Sequence, residues 1–193
     1  GSVTYAFTIK KARVNKPTAS TTSFVYDGTS KGYSSFQDNE LIKFTGTKTA
    51  TNVGNYSITA SLNDTDNYEW VGGTTTDVVI NWSITQATPD FTVPTGLVGV
   101  KGDFLRSIAL PYGFTWNNPD DLLNAGTHTY KATYTHADTT NYKTVTVIDV
   151  TVVVKNKFVL AGIVDGGNGT ISVSRLEVLE GEKAEVVFTP DTG

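Results

Sequence analysis

The chain has 193 residues, a net charge of −4 and no cysteine or methionine, with pI near 5.1. That mild acidic balance excludes a basic nucleic-acid face and an electrostatic membrane anchor. The lack of Cys removes disulfides, thiolate metal sites and a cysteine nucleophile. No apolar run approaches the ~20 residues of a membrane helix, so no membrane insertion is expected of this segment. Thr and Val lead the composition, with nine Tyr and nine Phe, which suits pleated, half-buried strands. No long stretch carries Ala, Leu, Glu and Lys at helical spacing, so the fold class is all-β.

In chain order, Gly1-Ser2 reads as a cloning remnant, and the chain is expected to be a piece of something longer. "VTYAFTIKKA" alternates Val3, Tyr5, Phe7 and Ile9 and closes at Ala12. Residues 1–12 therefore read as the last strand of a preceding repeat. The same pattern returns in "VVINWSITQA", where Val78, Ile80, Trp82 and Ile84 lead to Ala87. A second echo joins "NVGNYSITASLNDTDNY" at 52–68 to "NAGTHTYKATYTHADTTNY" at 124–142. Asn52, Gly54, Ala60, Asp66, Asn67 and Tyr68 meet Asn124, Gly126, Ala132, Asp138, Asn141 and Tyr142, with Thr139 and Thr140 as extra residues. Tyr56, Ile58, Ala60 and Leu62 form one face, and His128, Tyr130, Ala132 and Tyr134 match it. Period-two alternation makes both of these core-facing strands.

These echoes set the domains: a first repeat at 13–87 and a second at 88–155. In the second, Phe91–Val93 is the expected first strand and 145–154 the last. The apolar phase shifts between Val147 and Val150, which predicts a β-bulge near Ile148-Asp149. Residues 156–193 form a partial third β-rich module. Two short strands are expected around a turn at Gly166-Gly167-Asn168-Gly169, and Ala184, Val186 and Phe188 mark another strand. Pro17 and Pro89 fit short, semi-rigid linkers.

The run "WSITQATPDFTVPTGLVGVKGDFLRSIALPYGFTW" at 82–116 carries P-x-G-L, G-D-x-L and L-P-x-G-F-x-W phrases. It resembles tandem bacterial immunoglobulin-like repeats of extracellular surface and adhesin proteins. "FVYDGTSK" at 24–31 resembles the Y-D-G type. The last segment resembles a glycine-rich bacterial surface repeat with G-x-G-x-I and F-T-P-D-x-G. The resemblance implies tandem immunoglobulin-like β-sandwiches, with β-grasp-like surface repeats as the alternative. A β-grasp needs a helix, and only Pro119–Leu123 offers a turn of one. The resemblance also implies a non-catalytic stalk or spacer at a bacterial cell surface or cell wall. Its expected partners are host or neighbouring-cell proteins or glycans. The rival is a carbohydrate-binding or accessory module of a secreted glycan-active enzyme.

Chemistry-bearing residues are few. His128 aligns with Tyr56 and reads as packing, and no nucleophile motif accompanies His136, so no catalytic residue is expected. Asp64 and Asp66 have oxygen ligands at calcium-like spacing, although an Asx turn explains them without a metal. No other cofactor is expected. Trp82 and Trp116 share phase with core residues, which leaves Trp70 as the exposed aromatic for a ligand such as a sugar. Unpaired strands in 156–193 predict self-association through that module.

Overall fold

The structure, a computed structural model, describes residues 1–160, 168–173 and 176–191. It is all-β and sandwich-type. The chain forms two compact units, one of Gly1–Thr88 with Asp138–Lys143, the other of Pro89–Ala137 with Thr144–Gly193.

The first unit holds β1 (Ala12–Val14), β2 (Ser23–Val25), β3 (Lys31–Gly32), β4 (Ile42–Gly46), β5 (Thr49–Ala50), β6 (Gly54–Leu62), β7 (Tyr68–Trp70) and β8 (Val78–Thr85). One sheet has the order β2-β8-β6-β4, and the pairs β1-β7 and β3-β5 are separate ribbons. Alternation builds the core as expected: Ile58, Ala60 and Leu62 of β6 and Ile80, Trp82 and Ile84 of β8 are buried. Val14 of β1, Phe44 of β4, Trp70 of β7 and Tyr33 complete the cluster. β3 and β5 can lie close because Gly32 has φ +121, and a Cβ there would meet Lys48 O at 2.2 Å. Residues 1–11 form no strand, contrary to expectation, and Val3, Tyr5, Phe7 and Ile9 are all exposed. A strand exists through its ladder, and no described strand pairs with this stretch.

The second unit holds β9 (Leu97–Val100), a 3-10 turn (Leu105–Ser107), β10 (Phe114–Trp116), β11 (Gly126–Tyr134) and β12 (Val145–Lys155). It continues with β13 (Lys157–Val159), β14 (Gly169–Val173), β15 (Glu177–Leu179) and β16 (Val186–Pro190). Its main sheet has the order β10-β11-β12-β9, which is the order of the first sheet strand for strand. In each, the first strand runs parallel to the last, β2 on β8 and β9 on β12. Val150, Val152 and Val154 are buried beside Leu105, Ile108, Leu123 and Ala132.

Three expectations shift in this unit. The first strand is Leu97–Val100, not 91–93. Pro94 lacks an N–H, and Gly96, at φ +71, turns the chain before the ladder begins. The bulge falls earlier than expected, between Val145 and Ile148, opposite Ala132–Tyr134. Its extra residue leaves Val147 at φ 63 and exposed, a strained conformation for a β-branched side chain. Residues 119–123 form no helix. Pro119 O and Asp121 O accept from Arg106 N and Leu105 N, at 2.8 Å each, so that backbone is spent on a loop contact. No helix crosses either sheet among the described residues, which removes the β-grasp alternative.

In 156–193, the expected turn residues Gly166 and Gly167 lie outside the described residues. Among the described residues, the flanking strands do not pair with each other. β13 pairs with β15 and β14 with β16, both antiparallel.

Within the first core, Tyr33 stacks on Phe36 with ring centroids 5.2 Å apart and meets Trp82 edge-on. Its hydroxyl is buried without a hydrogen-bond partner among the described residues. A buried unpaired hydroxyl costs about 1–3 kcal/mol. Tyr33→Phe removes that cost and keeps the ring, so its urea midpoint should equal or exceed the parent's. A clear fall in the midpoint would contradict this reading.

Candidate functional site

Two aspartate turns of the same build recur in the chain. Asp64 Oδ1 accepts Asp66 N at 2.9 Å and Asn67 N at 3.0 Å, and Asp64 Oδ2 accepts Asn67 Nδ2 at 2.7 Å. Tyr68 N closes the turn on Asp64 O at 3.2 Å. The second copy repeats this around Asp138. Asn141 N and Nδ2 donate to its two carboxylate oxygens at 3.1 and 2.8 Å, and Tyr142 N donates to Asp138 O at 3.1 Å. Asp64 therefore corresponds to Asp138, and the motif is D-T-x-N-Y. This corrects the sequence pairing of Asp66 with Asp138. The two extra residues lie between Ala132 and Asp138, and Thr140 is the counterpart of Asp66.

This geometry assigns Asp64 to the Asx turn, because its oxygens are taken up by three N–H donors. Asp66 is exposed and contributes its backbone N–H rather than a carboxylate. Among the described residues, no group of three His, Cys, Asp or Glu side chains gathers as a metal set. The Asn67 side-chain hydrogen bond, followed by the backbone bonds, holds the Asp64 carboxyl below its usual range.

Each turn then grips the end of a strand. Asn67 O accepts Ala12 N at 2.8 Å, and Lys11 Nζ donates to Thr65 O at 2.6 Å. Asn141 O accepts Ala87 N at 3.0 Å, and Gln86 Nε2 donates to Thr139 O at 2.9 Å. Both contacts are parallel, Ala12 beside Tyr68 and Ala87 beside Tyr142. Residues 138–143 belong to the first unit, so that unit contains both clamps. Sequence reading saw the D-x-x-N-Y residues as turn formers but missed this grip. The signal available was that each motif has its own partner, the Ala that closes a K-A or Q-A strand end.

Trp70 is a correction. It was expected to be exposed, but it is fully buried, and its Nε1 donates to Thr76 O at 2.9 Å. Pairing of β7 with β1 turns it into the core, and nothing in the local sequence announces that pairing. Trp82 is buried as expected, with Nε1 donating to Thr47 O at 2.9 Å. Trp116 is half-buried and donates to Ile108 O at 2.9 Å. His128 sits on the half-buried face of β11, its Nε2 3.3 Å from Ala125 O, and His136 is half-buried in the loop that follows.

The first unit carries an open surface groove of about 570 Å³. Asn55, Ser57, Asn81 and Ser83 line it with amides and hydroxyls, beside Thr22, Tyr56 and Trp82. The Trp82 ring packs against Tyr56 at 4.6 Å between centroids. At 2% exposure it offers no stacking platform. The exposed aromatics of the second unit are Phe104, Tyr112, Phe158 and Phe188, and the Arg106 guanidinium lies 4.3 Å from the Phe104 ring centroid.

Comparison with family models, with curated proteins and with solved structures returned no match to this chain.

The Asp64 turn makes a pH prediction. Its folded pKa is depressed below the ordinary 3.8. Its contribution to stability is therefore complete above that value and is lost as pH falls through the folded pKa. Asp64→Asn should lower Tm at neutral pH, with the gap to the parent closing as pH falls below the carboxylate range. A gap that stays constant through acid would contradict the assigned role.

Proposed function

We propose that the chain is a non-catalytic structural and adhesive segment of a bacterial cell-surface protein. In this reading it is a stalk or spacer of tandem immunoglobulin-like repeats, outside the cell at the surface or wall, with weak surfaces for protein or glycan. The observation that carries this reading is the parallel pairing of first and last strands in each main sheet. Ser23–Val25 runs beside Ser83–Thr85, and Leu97–Val100 beside Val152–Lys155. Tension applied through the two ends of such a sheet shears the ladder. All its hydrogen bonds resist at once rather than opening one by one as in a pulled hairpin. That arrangement suits an element that carries load between neighbours.

A second reading has its own observation. The groove over Asn55, Ser57, Asn81 and Ser83 matches the hydrogen-bonding chemistry of sugar hydroxyls, as expected of a glycan-binding accessory module.

Two measurements separate these readings. Pulling the chain from its ends in a single-molecule instrument should give discrete, high-force unfolding events, because forced unfolding follows the unfolding barrier. Gradual extension at low force would contradict the load-bearing role. A glycan array showing saturable binding that Asn81→Ala abolishes would establish the second reading in its place.

A further inference from the structure

The two clamps of the first unit share a backbone and differ in burial. Asn141 is 6% exposed because its carboxamide is used again. Its Oδ1 accepts Val53 N at 2.8 Å, and its Nδ2 also donates to Asn52 Oδ1 at 3.2 Å. The Tyr142 ring meets Tyr26 edge-on, with centroids 5.4 Å apart. At the twin clamp, Asn67 is exposed. Its side chain donates to Asp64, but among the described residues its Oδ1 accepts no hydrogen bond. The same two bonds to an aspartate fix both asparagines, so Asn67 presents its free amide edge as Asn141 presents its occupied one.

We propose that the 64–68 turn is a docking surface for another repeat of the kind formed by residues 13–87, lying in line ahead of it. That repeat would offer an Asn-Val loop like Asn52-Val53 to the Asn67 carboxamide, and a tyrosine like Tyr26 to Tyr68. The inference deepens the stalk reading and rests on its tandem arrangement. A second copy of this chain is not the occupant. Its own Asn52 and Val53 are already bound by its own Asn141. The stretch ahead of the clamp points to the same partner. Val3, Tyr5, Phe7 and Ile9 are 75%, 84%, 84% and 87% exposed, and they match the inward positions of β8 one for one. They lead to Ala12 as β8 leads to Ala87.

The test adds the partner. Residues 1–12 of the full chain are replaced by a second copy of residues 13–87, with only the added copy isotope-labelled. The Val53 amide of that copy should exchange about fivefold more slowly than in the same chain carrying Asn67→Ala in the original copy, the protection that one hydrogen bond gives. A crosslink gives a readout that does not depend on stability, since the chain has no cysteine of its own. Val53→Cys in the added copy with Asn67→Cys should oxidise to one disulfide, as should Val53→Cys with Asn141→Cys in the unextended chain. Equal exchange rates, or a crosslink confined to the unextended chain, would overturn the proposal. Either result is separate from the behaviour of the chain under load.

Discussion

The interaction on which the first unit depends is the hydrogen bond from the closing alanine of a strand to the asparagine carbonyl of a D-T-x-N-Y turn. It occurs twice, from Ala12 to Asn67 and from Ala87 to Asn141. The aspartate makes it work. By accepting the asparagine's backbone and side-chain N–H groups, Asp64 and Asp138 hold the turn so that its carbonyl faces the incoming strand. The bond then starts a parallel contact, which in the first copy grows into the full β1–β7 pairing. That pairing carries Val14 and Trp70 into the core.

Magnitudes divide the labour between this clamp and the core. A single hydrogen bond contributes about 1 kcal/mol net. Burying a side chain such as Ile58, Ile80 or Ile84 contributes about 1.5–3 kcal/mol. Stability therefore resides in the apolar face shared by β6 and β8, and in the matching face of β11 and β12. The ladders and clamps decide which strand lies beside which. The last strand is central in both sheets, flanked by the first strand on one side and the long β6 or β11 on the other. Its loss would expose the core and open both ladders together.

Most of this could be read in the amino-acid order wherever period-two alternation was long enough. β6, β8, β11 and β12 have eight residues or more, and their inward faces came out as the alternation required. Short elements gave no such signal. The three residues of β7 cannot show a period, so Trp70 looked like a surface ring when it is a core one. The two-residue length change between Ala132 and Asp138 displaced the alignment of the turns. Recognising "DTDNY" and "DTTNY" as one motif would have corrected it. The bulge was visible as a phase change, but its position depends on which residue accepts a left-handed backbone, and Val147 is an unexpected choice. Residues 1–11 read as a strand because their pattern is that of β8. A pattern supplies only one edge of a ladder, and no described strand supplies the other.

The turn asparagine acts as a clamp, and amide hydrogen exchange at Val53 tests this most directly. Val53 N donates to Asn141 Oδ1, and no strand includes it. In the parent chain its amide should be protected. In Asn141→Ala it should exchange about fivefold faster, as the loss of one hydrogen bond worth about 1 kcal/mol implies, while the Ile58 amide within β6 stays slow. Unchanged protection of Val53 in that variant, with Ile58 still slow, would contradict the clamp.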